Sequence, residues 1–351
     1  MYQVFKNILF TRGYNRTLMY DSLKSEIHFL PNEMFDLVDA NNYIIPDNET
    51  NNPLISLLLE KGLAFKSDPN LNGYFPHLNA DSEVPYHIVT SVIELSDLTA
   101  KNLAKFNTSL NNGSVGQFNF ILSGYTSLAS LNALAGFINA NEADAFEITI
   151  EEQFKHLEYL FAVIDAPNKI IIFNNFKNEQ LPEAVLKRNR YVNPTDLVNL
   201  HLSLNYLTYF ESKDSNVYFN RKVFISSAGL IKNSEETEYV YGNIDTLGVF
   251  NINELLNSAG FKEYWNIRKE DTIVCNDCEF RRFCIDNRIP QKTAANKWYH
   301  KDECAYNPYI SKWQHEEDYL PVAQCGISAT AEGVRIDLEK LDKINEELWK
   351  I

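Results

Sequence analysis

From Met1 to Val274 the chain has no cysteine. An iron–sulfur cluster that keeps one iron open for a cofactor needs three closely spaced thiolates. No such centre can be assembled in that stretch. A glycine-rich phosphate loop is also missing: Gly113-Ser114-Val115-Gly116 and Ser123-Gly124-Tyr125 lack the fixed spacing of a nucleotide motif. No apolar run approaches the length of a membrane-spanning helix. The start, MYQVFKNILFTRGYNR, lacks the basic, apolar and small-residue layout of a signal peptide. Positive charge is scarce, with 32 Lys and Arg against 47 Asp and Glu and a net charge of −15. Phosphate contacts need a basic surface, so the charge argues against general nucleic-acid binding, with RKEDT and FRRF as the local sources of positive charge. These absences predict a protein with no nucleic-acid or membrane partner, located in the cytoplasm, where thiols stay reduced.

What is present is enough chain, 351 residues with 45% hydrophobic content, for two or three domains. Four of the five cysteines lie in CNDCEFRRFCIDNRIPQKTAANKWYHKDEC, as Cys275, Cys278, Cys284 and Cys304. A C-x2-C turn lets two thiolates meet one metal atom; the third is near, and a distant fourth closes a tetrahedron. Four thiolates suit zinc or an iron–sulfur cluster. The phenylalanines of Phe280-Arg281-Arg282-Phe283 are expected to shield the site, with the arginines in solvent; the alternative is an arginine fork on a peptide carboxylate. Tyr306, Pro308, Tyr309 and Trp313 are expected to pack around it. Cys325, alone in PVAQCGIS, reads as a small buried residue. His300 and His315 read as bystanders.

The N-terminal residues alternate as short strands around Val4, Ile8 and Phe10, then Leu18 and Tyr20, then Ile27 and Phe29, with a turn at Gly13-Tyr14-Asn15. Pro31 is placed to open a helix, and Leu54, Leu57 and Leu58 describe a second one ending at Gly62. Residues 67–85 read as a linker. A βα rhythm follows: strands at Ile88–Leu95, Phe118–Leu122, Phe146–Ile150 and Lys169–Phe173, with helices from Ser96 or Asp97, from Ser127 and from Phe154, and a further helix from Pro194 through Leu197, Leu200, Leu204 and Leu207. Alternation of this kind predicts a parallel sheet covered by helices, here half of an eight-fold barrel. Val217–Ile225 and Leu230–Ile231 read as a hairpin around Ser226–Gly229. Asp337–Leu348 reads as an amphipathic helix.

CNDCEFRRFCIDNR followed by ECAYNPYISKW resembles the C-terminal SPASM segment of the grasp-with-SPASM peptide maturases. Tyr218-Phe219-Asn220-Arg221-Lys222, Ile231-Lys232-Asn233, Tyr241-Gly242-Asn243-Ile244, Tyr264-Trp265-Asn266-Ile267, Gly13-Tyr14-Asn15-Arg16 and PNEMFDL at Pro31–Leu37 add to the likeness. It covers roughly residues 216–313 and 1–65. The resemblance implies an α/β chain with a winged-helix-like peptide-recognition module (1–66), a linker (67–85), a degenerate partial (β/α) barrel (86–215), a SPASM metal-binding domain (216–313) and a helical tail (314–351). It favours a 4Fe–4S cluster on Cys275, Cys278, Cys284 and Cys304, with zinc as the alternative. Cysteines of a first auxiliary cluster are replaced here by Asn233-Ser234, Gly242-Asn243-Ile244-Asp245 and Ile285-Asp286-Asn287-Arg288. The C-x3-C-x2-C motif expected near Ser96 is absent, so no radical chemistry on S-adenosylmethionine is expected.

The function implied is that of an accessory maturation protein for ribosomally synthesised, post-translationally modified peptides. It would bind a precursor (leader) peptide at Ser25, Ile27, Phe29, Leu54, Leu58 and Lys61 and partner an ATP-grasp ligase. Two rivals stand beside it. One is another enzyme activity at the strand ends near Ser96, Ser123, Glu151 and Asn174; the other is a purely structural, ligase-stabilising subunit. No catalytic triad can be read, because sequence does not show which Ser, His and Asp converge. Loss of a cysteine such as Cys278 is expected to destabilise the C-terminal part and leave the N-terminal module folded.

Overall fold

The computed structural model describes residues 1–40, 43–68, 85–109, 115–151, 153–164, 170–174, 202–246 and 252–349. These form a mixed α/β protein with one large, partly parallel sheet and several small ones. They divide into two compact units: Met1–Ser82 with Leu202–Val217 and Ile267–Ile351, and Glu83–His201 with Tyr218–Asn266. The units do not follow chain order, and the segment 216–313 contributes to both.

The second unit is built on a seven-stranded sheet. Ile170–Asn174, Ala145–Ile150, Val115–Leu122, Ile88–Glu94 and Lys222–Ile225 run parallel in that spatial order. Leu230–Lys232 and Gly242–Asn243 extend it antiparallel. The expected hairpin thus exists, and its first arm is a strand of the parallel sheet. Gly229 makes its turn at a φ of +77°, a conformation that L side chains rarely adopt. Helices Asp97–Ser109 and Leu128–Ala140 fall where the βα rhythm placed them. Ser96 caps the first by exchanging hydrogen bonds with Thr99, and Ser127 caps the second through Ser130. Burial alternates along the strands because successive side chains take opposite faces. Phe118, Phe120, Phe146 and Ile148 are buried with Leu103, Phe106, Leu131, Leu134 and Phe137. The other face pairs Gln117 with Glu147 (3.0 Å) and Thr149 with Asn119 (3.1 Å). The third helix is shorter than expected, Leu157–Val163. The linker (apart from residues 67, 68 and 85) and the helix placed from Pro194 through Leu200 lie outside the described residues; Leu204 precedes the helix Tyr206–Asp214, and Leu207 is exposed on it.

The first unit opens with a meander, Ile8–Arg12, Arg16–Asp21 and Glu26–Pro31, and a small sheet in which Tyr2–Val4 lies between Ile44–Ile45 and Ala64–Lys66. Pro31 ends a strand rather than opening a helix; the helix is Asn32–Ala40. The second helix is Asn52–Glu60. Two apolar clusters form here. One is internal to the N-terminal residues, with Val4, Phe10, Leu30, Leu54 and Leu58. The other joins Leu9, Leu18 and Tyr20 to Phe280, Phe283 and Tyr306. The second follows from period-two alternation: Leu9, Leu18 and Tyr20 point to the opposite side of the meander from Phe10 and Met19. The tail helix Leu338–Trp349 is capped by Asp337 and seats Leu341 in a third cluster with Tyr309, Ile310 and Cys325.

Candidate metal centre

Residues 275–284 fold as consecutive tight turns. Cys278 N–H donates to the Cys275 carbonyl (3.1 Å), Arg281 N–H to that of Cys278 (3.3 Å) and Phe283 N–H to that of Phe280 (2.9 Å). Val274, just before the first cysteine, has a φ of +70°. For a β-branched residue this is a strained conformation, of the sort that surrounding structure holds in place at functional sites. Cys284 forms a bridge with Leu202, and Ser203 N–H donates to the Phe283 carbonyl (2.7 Å). Cys304 stands just before the strand Tyr306–Asn307.

All four cysteines are free thiols. Burial pushes the Cys275 thiol up to about 11 and that of Cys284 up to about 12, and Cys278 goes well above the ordinary thiol range. Cys304 acts electrostatically on each of the other three, which puts the four sulfurs in one neighbourhood. Among the described residues, no three His, Cys, Asp or Glu side chains stand in a metal-holding arrangement. The thiols are gathered without being closed around a point.

Their surroundings fit a thiolate-bound group. The Phe280 N–H donates to Cys278 Sγ at 3.4 Å, a bond that favours the anionic sulfur. A buried cationic network adjoins the cluster. Lys269 Nζ donates to Asp286 Oδ2 at 2.8 Å, with side chains 7% and 5% exposed, and Arg288 forks onto the same carboxylate. Burial alone would lower the Lys269 pKa; Cys284, Cys275 and Asp286 outweigh it and leave it raised. Lys269 and Arg288 carry two positive charges against one on Asp286, so the network offsets part of the charge of a four-thiolate site. His300 Nε2 lies 3.0 Å from Lys269 Nζ. Burial, and then the charges of Lys269 and Arg288, push it down to about 3, so it is a neutral partner of this network. His315 instead stacks on Trp313. Cys325 is fully buried away from the four, accepting from Asn307 Nδ2 at 3.3 Å.

The arginines of the loop are not in solvent. Arg281 Nη1 donates to the carbonyls of Arg12 and Cys278. Arg282 donates to the Ser212 carbonyl (3.1 Å) and pairs with Glu270 (2.8 Å). They brace the turns, because each guanidinium carries enough donors to satisfy several carbonyls at once. Phe280 and Phe283 are buried as expected, and Tyr306 and Trp313 pack with Cys278 and Cys304; Tyr309 belongs to the tail cluster. The stretch after Cys284 contains a hairpin, Pro290–Lys292 with Trp298–His300.

Sequence reading missed the N-terminal half of this site. The Gly13–Arg16 turn seats directly on the cysteine loop: Tyr14 N–H donates to the Asp277 carbonyl (2.7 Å), and Arg16 Nε pairs with Glu279 Oε1 (2.8 Å). The Tyr306 hydroxyl donates to the same oxygen. Glu279 is fully buried, and burial raises its pKa despite Arg16. The Arg16 guanidinium also covers the Phe29 ring at 3.6 Å. The signal available was the GYNR turn itself, which the sequence marked as a chain reversal and as part of the family likeness but not as a partner of the cysteine loop.

The six residues expected to bind peptide do not form one cleft. Ser25 makes the turn before the strand Glu26–Pro31, at a φ of +57°. Ile27 packs on the cysteine-side cluster, and Phe29 lies under Arg16. Leu54 and Leu58, 1% and 0% exposed, are core residues and present nothing to a ligand. Lys61 is at the surface, where its helix ends beside Lys24. Ser123 and Glu151 follow directly on strand ends of the parallel sheet, Ser96 comes two residues after one, and Asn174 is the last residue of one. Ser96 and Ser123 are engaged in local turns.

No protein-family model matches the chain, and no curated protein matches it. Among solved structures, it is similar to BtrN in complex with AdoMet and 2-DOIA, with 13% identity, a TM-score of 0.34, and coverage of 57% of this chain and 94% of that one. It is also similar to Streptococcus suis SuiB bound to S-adenosylmethionine, with 12% identity, a TM-score of 0.27, and coverage of 81% and 94%.

Proposed function

We propose that the protein is an accessory maturation factor for ribosomally synthesised, post-translationally modified peptides. It binds an extended precursor peptide and works beside an ATP-grasp ligase, without radical chemistry of its own. The observation that supports this is the seating of the strand Glu26–Pro31. Its apolar side chains are fixed against the cysteine loop by Ile27 and by Phe29, whose ring meets Phe280 edge-on at 5.9 Å. Among the described residues it is paired on one side only, with Arg16–Asp21. A rigid strand with an unpaired edge is what strand addition by an extended peptide requires.

In this reading Cys275, Cys278, Cys284 and Cys304 hold one metal group, a 4Fe–4S cluster or a zinc ion. When bound, the group supplies a structural crosslink between the two halves of the loop. The chain's own residues do the rest: Phe280 N–H supports the Cys278 sulfur, Lys269 and Arg288 balance charge, and Arg16 with Glu279 fastens the edge strand to the loop. The rival reading, a distinct activity at the sheet's strand ends, keeps Glu151 and Asn174 as its candidate groups.

Calorimetry with the precursor peptide, combined with amide hydrogen exchange, tests the proposal. Binding should slow exchange at Glu26–Leu30 about tenfold or more. Exchange that is unchanged across these residues at saturating peptide would remove the strand as the binding site. Turnover of the peptide by the isolated protein would favour the rival.

A further inference from the structure

The second unit contains a cavity of about 280 Å³ lined by Tyr86, His87, Arg221, Leu256, Lys262 and Trp265, with Pro85 and Asn257 at its margin. In a chain with net charge −15, the described residues that line it include one arginine, one lysine and no acid. Its parts are held in place. Tyr86 lies against Gly116, where an added Cβ would meet the tyrosine ring at 2.9 Å, and its hydroxyl bonds to the Asp144 carboxylate. Its carbonyl thereby receives Arg221 Nη1 at 3.2 Å. Arg221 itself has a φ of +49°, while its carbonyl takes the Val89 N–H at 2.8 Å, so a strained backbone is anchored on the strand Ile88–Glu94. Lys262 Nζ sits 5.4 Å from the Trp265 ring centroid and 3.4 Å from Asn257 Oδ1. Trp265 is 7% exposed, and among the described residues its buried Nε1 donor has no hydrogen-bond partner. A buried indole N–H is normally satisfied, and none of the described residues supplies this one's acceptor.

We propose that this cavity binds a small organic carboxylate, either a free acid or the C-terminal carboxylate of a peptide. The planar Arg221 fork suits a carboxylate, Lys262 adds a point charge, Trp265 Nε1 offers the third donor, and Leu256 with the indole ring receives an apolar substituent. The volume accommodates a group of amino-acid size. The motifs that supply it, Tyr218–Lys222 and Tyr264–Ile267, have no part in the cysteine site. This inference does not depend on the peptide-maturation reading.

The test uses the full-length protein labelled with ¹⁵N. Trp265 is one of four tryptophans, so its indole resonance is assigned by Trp265→Phe. Trialanine with a free C-terminus, trialanine amide, glutarate and inorganic phosphate are titrated separately. We expect a saturable shift of the Trp265 indole with free trialanine or with glutarate; response to glutarate alone indicates a free acid, and response to trialanine indicates a peptide end. Arg221→Gln and Lys262→Gln, each confirmed folded by circular dichroism, should weaken binding about tenfold or more. Lys262 lies on a turn away from the sheet, so its variant tests the site even where Arg221→Gln does not fold. Absence of a saturable shift with either carboxylate, equal affinity for the amide, tighter binding of phosphate, or retained affinity in Lys262→Gln would each overturn the proposal.

Discussion

Arg16 and Glu279 lie 263 positions apart in sequence and 2.8 Å apart in space, with the glutamate side chain fully buried. The pair fastens the N-terminal meander to the cysteine loop. Removing the arginine alone leaves a buried carboxylate without its charge partner, so Arg16→Ala should lower stability by about 3–5 kcal/mol. The double variant Arg16→Met with Glu279→Gln should recover at least half of that loss. Urea denaturation checks this. A double variant as unstable as Arg16→Ala would mean that packing, and not charge, sets the loss.

Gly13 predicts a steric effect at the same junction. An added Cβ would stand 2.8 Å from the Glu279 backbone nitrogen and 2.9 Å from the Arg16 carbonyl oxygen. Neither atom can yield without moving backbone. Gly13→Ala should therefore cost about 1–3 kcal/mol by overpacking, read as a lowered urea midpoint with an unchanged m-value.

The shared apolar cluster predicts a wider effect of a cysteine variant than the sequence implied. Leu9, Leu18 and Tyr20 lie in one core with Phe280, Phe283, Cys278 and Cys304. Cys278→Ser should loosen the meander as well as the loop. Hydrogen exchange should accelerate at Ile8–Arg12 and Arg16–Asp21 together with residues 275–284. Acceleration confined to the loop would show the N-terminal strands to be independent.

Metal content is predicted to be one group per chain. Protein purified without oxygen should contain about four irons with the visible absorption of a cluster, or about one zinc. Incubated with S-adenosylmethionine and a reductant, it should form no 5′-deoxyadenosine. Sustained formation would refute the reading drawn from the missing cysteines.

Lys222 gives a pH prediction. Its Nζ lies 3.5 Å from the Tyr218 ring centroid, and burial pushes its pKa down to about 8 despite Glu236, Glu235 and Glu147. The unfolded chain then binds more protons than the folded one between about pH 8 and pH 10.5, so this group makes stability rise with pH across that window. Below pH 8 both states are protonated and the penalty is full, about 3 kcal/mol at most. Lys222→Met should raise stability at pH 7 and abolish its share of the rise. A variant with the wild-type slope between pH 8 and 10 would contradict the assignment.

Local pattern settled much of this protein. The alternation of Phe118, Phe120 and Leu122 determined which face of the strand is buried, and the serines at 96 and 127 marked the starts of two helices, because capping and pleating depend on a few neighbouring residues. The spacing of Cys275, Cys278 and Cys284 likewise marked a candidate centre. Pairing across long sequence separations was not legible. Leu54 and Leu58 looked like a ligand-facing helix surface and are core, because periodicity shows that a helix has an apolar face without showing what covers it. Arg281 and Arg282 looked solvated and instead brace turns, since their acceptors are carbonyls, which every residue carries alike. Nothing in the sequence singled out Glu279. Only the tertiary structure brought Arg16 and Tyr306 to it, because a charge is buried only where distant chain supplies its partner.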